Sequence, residues 1–154
     1  MTRRSWVGIA FATIVGVAGV GATGAVFAGA DYSDQKVVYH NDGQLYENPK
    51  YFRKLLRNVK NNIAAVGDGH IEVRVVDHGD GIVMLQLANA DNELAGQIDA
   101  LRAQGVRFLV CKNTLSERKI DWHTLYGVKE GDLVPSGVAE LVKLQQAGFV
   151  YVHP

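Results

Sequence analysis

Five short β-rich runs alternate with apolar residues at helical spacing along residues 36–152, and that alternation leaves few folds open. The runs are Lys36-Val37-Val38-Tyr39-His40, His70-Ile71-Glu72-Val73-Arg74-Val75-Val76, Val106-Arg107-Phe108-Leu109-Val110, Leu133-Val134 and Phe149-Val150-Tyr151-Val152. Over Lys50 to Val66, Phe52, Leu55, Leu56, Val59 and Ile63 recur three and four apart, so one helical face is apolar. Glycine takes the left-handed cap conformation without a Cβ clash, so Gly67-Asp68-Gly69 ends that helix. Asp91 reads as the N-cap of a helix with Leu94, Ile98 and Leu101 inward, stopped at Gly105. Val138, Leu141, Val142 and Leu144 mark a last helix, ended at Gly148. Ile82 to Ala88 fits a strand or a short buried helix equally, since so short a run has no decisive period. Lys112 to Gly131 holds one or two short helical pieces. Strands alternating with helices join through right-handed crossovers into a mainly parallel sheet. The predicted domain, residues 31–154, is a small three-layer α/β sandwich of about five strands.

The first thirty residues are of another kind. Arg3 and Arg4 are the only charges before Asp31, and the stretch between is apolar, glycine-rich or small and polar. A positive start, an apolar run and small residues at Ala28-Gly29-Ala30 read as a signal peptide, cleaved after Ala28 or Ala30. The opening Thr2-Arg3-Arg4-Ser5-Trp6-Val7 resembles a twin-arginine export signal. The run also reaches the ~20 residues that span a bilayer, so an uncleaved anchor is the other reading. The first places the domain in the periplasm, and the second tethers it to a membrane through this segment alone.

Charge and cysteine usage narrow the function. The chain carries 16 basic and 16 acidic residues. Without Arg3 and Arg4 the balance is slightly acidic, which is no footprint for nucleic acid. Lys50, Arg53, Lys54, Arg57 and Lys60 lie largely off the apolar face of their helix. They read as a solvated surface or as a dock for an acidic partner. Cys111 is the one cysteine. It forms no disulfide within the chain and no structural zinc site without three other ligands.

In open parallel sheets, ligands bind beyond the carboxyl ends of the strands. Four segments come directly after the first four strands: His40-Asn41, Asp77-His78-Gly79, Cys111-Lys112-Asn113-Thr114 and Pro135-Ser136-Gly137. Parallel strands gather them on one rim. Cys111 precedes a plausible helix start, and a helix N-terminus with Lys112 adjacent favours the thiolate. Such a thiolate attacks sulfane sulfur; a buried structural thiol is the competing reading. His40 and His78 are acid/base or metal-ligand candidates near Cys111, or else they brace loop backbone. Ser136-Gly137 at a helix start can bind an anion through free N–H groups or simply cap the helix. His70, His123 and His153 read as surface or boundary residues. No cofactor motif is present, and no cofactor or resident metal is assigned.

These residues also carry a resemblance. Lys36 to His40, Leu56-Arg57-Asn58-Val59 with Ala65-Val66-Gly67, Ile71-Glu72-Val73 with His78-Gly79, Gly105 to Leu115 and Val134 to Leu141 resemble the DsrE/DsrF-like family. The similarity covers essentially all of 36–154 and is most specific around Cys111 and Ser136. It implies a flavodoxin-like or Rossmann-like α/β subunit assembling into homotrimers or homohexamers. It implies that Cys111 accepts persulfide sulfur and passes it on. The partners would be a sulfur donor or acceptor protein, or a small sulfane-sulfur compound. Two functions of different class remain: a thiol-based sulfur carrier or sulfurtransferase outside the cytoplasm, or a non-catalytic oligomeric module that binds a small ligand or metal and keeps Cys111 as a structural residue.

Overall fold

A computed structural model describes residues 32–43 and 49–154. The signal or anchor expected over residues 1–30 lies outside the described residues. Among those described, no helix is long and apolar enough to cross a membrane.

The strands are β1 (Gln35–Asn41), β2 (Ile71–Asp77), β3 (Arg107–Cys111), β4 (Leu133–Val134) and β5 (Val150–Val152). They form one sheet in the order β4-β3-β2-β1-β5, with every pairing parallel. The helices are α1 (Pro49–Val66), α2 (Val83–Leu87), α3 (Asn92–Ala103), α4 (Lys112–Arg118) and α5 (Gly137–Gln146). The ambiguous run Ile82 to Ala88 is helical: a 3-10 turn over Gly79–Ile82 leads directly into α2.

Side chains alternate across a strand, so the sheet has two unlike faces. Val37, Tyr39, Val73, Val75, Phe108 and Val110 point to the large core, which includes side chains of α1, α2 and α3 and Leu115 of α4. Phe52, Leu55, Leu56, Val59 and Ile63 are the buried stripe of α1. Val38, Val76, Leu109 and Val134 point the other way, to a smaller cluster closed by Leu141 and Leu144 of α5 and by Phe149. One helix covers that second face. Its Val138 and Val142 are 60% and 50% exposed, so only half of the apolar residues that mark this helix in the sequence face the core.

The chain steps β1, β2, β3, β4 in one direction, then returns to place β5 on the far side of β1. Right-handed crossovers require the returning helix to lie on the opposite face, and α5 does. The connection after β3 therefore rises to one face and the connection after β4 to the other. Between such strands the loops part and leave a crevice at the carboxyl edge. Cys111 is the last residue of β3, at that edge.

Both helix caps expected at Asp91 and Ser136 form. The Asp91 carboxylate accepts the Leu94 N–H at 3.0 Å, and Ser136 Oγ accepts the Ala139 N–H at 3.3 Å. Asp91 also pairs with Arg53 of α1, which lies 3.4 Å from Glu93 as well. Arg53 thus ties α1 to the start of α3, whereas Lys54, Arg57 and Lys60 are exposed.

Candidate functional site

Strand parity decides which rim residues can meet. Cys111 shares a face with Leu109, His78 with Val76 and His40 with Val38, and that is the face of α5. Asn41 and Asp77 have the opposite parity and turn under the helices of the other face. Register then orders the line. Asp77 pairs with Val110, so one residue further brings His78 level with Cys111. Tyr39 pairs with Val152, so one residue further brings His40 level with His153. Along the rim the order runs Ser136, Cys111, His78, His40, His153.

The start of α5 is pressed against this line. A Cβ added to Gly137 would lie 2.8 Å from His78 Cβ and 3.3 Å from Cys111 Cβ. Only glycine permits so close an approach of the helix backbone. Gly81 serves the neighbouring turn in the same way, since a Cβ there would sit 2.0 Å from the Asn41 carbonyl oxygen.

Cys111 is 4% exposed. Burial by itself pushes its thiol pKa up, yet the backbone N–H of Thr114, the Gly137 N–H, the Thr114 hydroxyl and the Asn113 N–H together hold it below its ordinary value. Asn113 and Thr114 belong to α4, and Gly137 begins α5. They favour negative charge on the sulfur. Thr114 is buried and bridges further: Gly79 N–H donates to its Oγ1 at 3.0 Å, locking the turn that carries His78 against α4. Lys112 and Asn113 are exposed, and the donors around the sulfur, rather than the Lys112 charge, lower its pKa. Ser136 caps α5, while the adjacent Gly137 helps to lower the Cys111 pKa.

The histidines form a cluster of their own. His40 and His78 stack with ring centroids 4.7 Å apart and meet through their Nε2 atoms. His40 Nδ1 lies 2.6 Å from the Tyr151 hydroxyl, and its ring centroid lies 5.1 Å from that of His153. His153 Nε2 stands 3.1 Å from Asp42 Oδ1. Burial lowers the pKa of His78, with Asp42 opposing. Burial also lowers that of His40, aided by the neighbouring imidazoles His78 and His153 and opposed by Asp42. Both shifts favour the neutral imidazole, the form with a nitrogen lone pair to offer. His78 directs its Nε2 to His40.

The arrangement can be set beside known proteins. A profile of the DsrE/DsrF-like family matches residues 35–154, the whole described α/β domain. The chain belongs to the DsrE/DsrF-like family. The solved structure of MTH1491, a protein of unknown function from Methanobacterium thermoautotrophicum, is similar to this DsrE-like chain. The two are 34% identical with a TM-score of 0.65, over 79% of this chain and 100% of that one. No curated protein matches. At the level of the DsrE/DsrF-like family, the associated function is related to sulfur relay.

Three rim residues of this DsrE-like protein escape a reading of the sequence. Asp42 and Tyr151 sit among ordinary loop and strand residues. His153 reads as a boundary residue, although its place just beyond the fifth strand, equivalent to that of the four rim segments, is a signal that singles it out.

Proposed function

We propose that this protein is a thiol-based sulfur carrier or sulfurtransferase, with Cys111 as the residue that holds the sulfur. The observation that carries the reading is the position of Cys111 at the carboxyl end of β3, directly before α4 and against the start of α5, where Thr114, Gly137 and Asn113 lower its thiol pKa. In the loading step the Cys111 thiolate attacks the outer sulfur of a polysulfide or another sulfane donor. An S–S bond forms on Cys111, the donor's S–S bond breaks, and the shortened donor leaves with the electron pair. In the unloading step an acceptor thiolate attacks the terminal sulfur and Cys111 departs as thiolate. No net oxidant is needed. With a single cysteine in the chain, the acceptor thiol belongs to another molecule. The donors that stabilise the thiolate assist both steps, since Cys111 is nucleophile in one and leaving group in the other.

The test is the mass of the Cys111 peptide after polysulfide treatment. A gain of one or more sulfur atoms, removed by reductant and absent in Cys111→Ser, is expected. No gain, together with an alkylation midpoint at or above the ordinary thiol value of about 8.5, sinks the proposal. That outcome promotes the second reading, an oligomeric binding module with a structural cysteine, which the 4% exposure of Cys111 favours.

Two further parts belong to the same reading. The domain works in the periplasm, supported by the Arg3-Arg4 start and the charge-free run to Ala30; mature protein beginning at Gly29 or Asp31 is expected on N-terminal sequencing. It assembles with copies of itself, as a trimer or hexamer. Supporting this, Val138, Val142, Val150 and Tyr151 leave large apolar side chains exposed on α5 and the edge strand β5. A monomeric mass in sedimentation at micromolar concentration defeats that part alone.

A further inference from the structure

The far end of the rim holds a second constellation that the persulfide reading does not use. β1 and β5 are parallel neighbours, and the register that pairs Tyr39 with Val152 brings His40 level with His153. Asp42 lies two residues beyond His40, just past the end of β1. One donor atom from each of His40, Asp42 and His153 lies within 4.8 Å of the other two. His40 and Asp42 are half-buried and His153 is exposed, so the group is open to solvent on one side.

We propose that His40, Asp42 and His153 bind a divalent first-row transition-metal ion of the zinc class. Two imidazoles and one carboxylate suit such ions, whereas magnesium and calcium take oxygen shells. Three protein ligands leave a position for water or an incoming ligand. With bonds of about 2.0–2.2 Å at tetrahedral angles, two ligands of one ion lie about 3.3–3.6 Å apart. Small rotations of exposed His153 and half-buried Asp42 close the remaining distance. His40 has the surroundings of a ligand as well as the position. Whichever ring nitrogen takes the ion, the other keeps a partner, His78 Nε2 or the Tyr151 hydroxyl, and that partner fixes the ring. Cys111 takes no part. It is buried at the end of β3, at the β3–β4 end of the rim.

The experiment uses the full chain, stripped with a chelator and titrated with Zn2+ by calorimetry, with Co2+ as a spectroscopic probe. One ion per chain is expected. The Co2+ complex should show visible d–d bands without thiolate charge transfer. Loss of an outer partner alone costs a site 10–100-fold in affinity, so loss of a ligand is expected to weaken binding by about 100-fold or more. His153→Ala and Asp42→Asn both alter solvent-accessible side chains and are chosen so that the fold is kept, as circular dichroism will verify. Cys111→Ser should bind as the native chain does, which separates this inference from the sulfur-carrier proposal. Absence of saturable one-to-one binding overturns it, as does affinity unchanged in His153→Ala and Asp42→Asn. Binding that is lost in Cys111→Ser, or a thiolate-to-cobalt band, overturns it too.

Discussion

Asp77 ends β2 with its carboxyl fully buried beside Asn41, and replacing it should change how stability depends on pH. Burial pushes its pKa from 3.8 up to about 8, against the opposing pull of a hydrogen bond from Asn41 and the charge of Arg102. Asn41 Nδ2 donates to Asp77 Oδ1 at 2.6 Å, while Asp77 Oδ2 and Asn41 Oδ1 have no partner. Between pH 3.8 and about 8 the folded protein keeps a proton that the unfolded chain has released. The stability tied to the neutral carboxyl is therefore fully present below the lower value and is lost as pH rises to the upper one. At about 1.4 kcal/mol per pH unit, the loss across the window is on the order of 5 kcal/mol. Asp77→Asn keeps the shape, cannot ionise, and adds an amide donor beside the unpartnered Asn41 Oδ1. Urea unfolding followed by circular dichroism, from about pH 5 to about pH 8.5, compares the two chains across this window. The stability of Asp77→Asn relative to the native chain should grow by about 4 kcal/mol between about pH 5 and about pH 8 and then level off. Titrations elsewhere in the molecule cancel in the difference. A difference that stays constant with pH would overturn this account, because it would mean that the buried carboxyl ionises at its ordinary value or that the unfolded chain perturbs it equally.

Two other substitutions probe the rim. Gly137→Ala sets a Cβ 2.8 Å from His78 Cβ and 3.3 Å from Cys111 Cβ. It should cost about 1–3 kcal/mol and alter the rate of Cys111 alkylation; an unchanged thermal midpoint and rate would show that α5 shifts freely. Thr114→Val removes a hydroxyl that holds the Cys111 pKa down and accepts the Gly79 N–H. The alkylation midpoint should move to higher pH and stability fall by about 1–3 kcal/mol for the orphaned N–H, whereas an unmoved midpoint would assign the low thiol pKa to the backbone alone.

Much of this architecture is legible in the residue pattern, and the reason is local. The apolar stripe Phe52, Leu55, Leu56, Val59 and Ile63 has a period that only a helix satisfies, and all five are buried. The Asp91 and Ser136 caps depend on atoms within three residues. The placement of Cys111 at a strand's carboxyl edge needs only the strand's end and the rule that parallel strands share a rim. Ile82 to Ala88 resisted because its apolar residues carry no decisive period. It is helical because Ile82, Val83, Met84 and Leu85 must all be buried in the large core while the preceding turn stays tied to β1 through His78 N–H and the Asn41 carbonyl.

Residue order alone therefore establishes most of the elements, their alternation and the candidates at the ends of the first four strands. Which candidates meet is beyond its reach. That depends on strand order and register, which bring together residues more than a hundred positions apart: β5 returns to the outer side of β1 and sets His153 beside His40 and Asp42. Strand parity then splits neighbours in the chain, sending His78 to the Cys111 face and Asp77 into the core. Whether Gly137 delivers an N–H to the Cys111 sulfur is decided by the face on which α5 crosses back, and handedness of the whole connection governs that. Local propensity acts over a few residues, and the site is built from contacts whose cost and reward appear only when the sheet has closed.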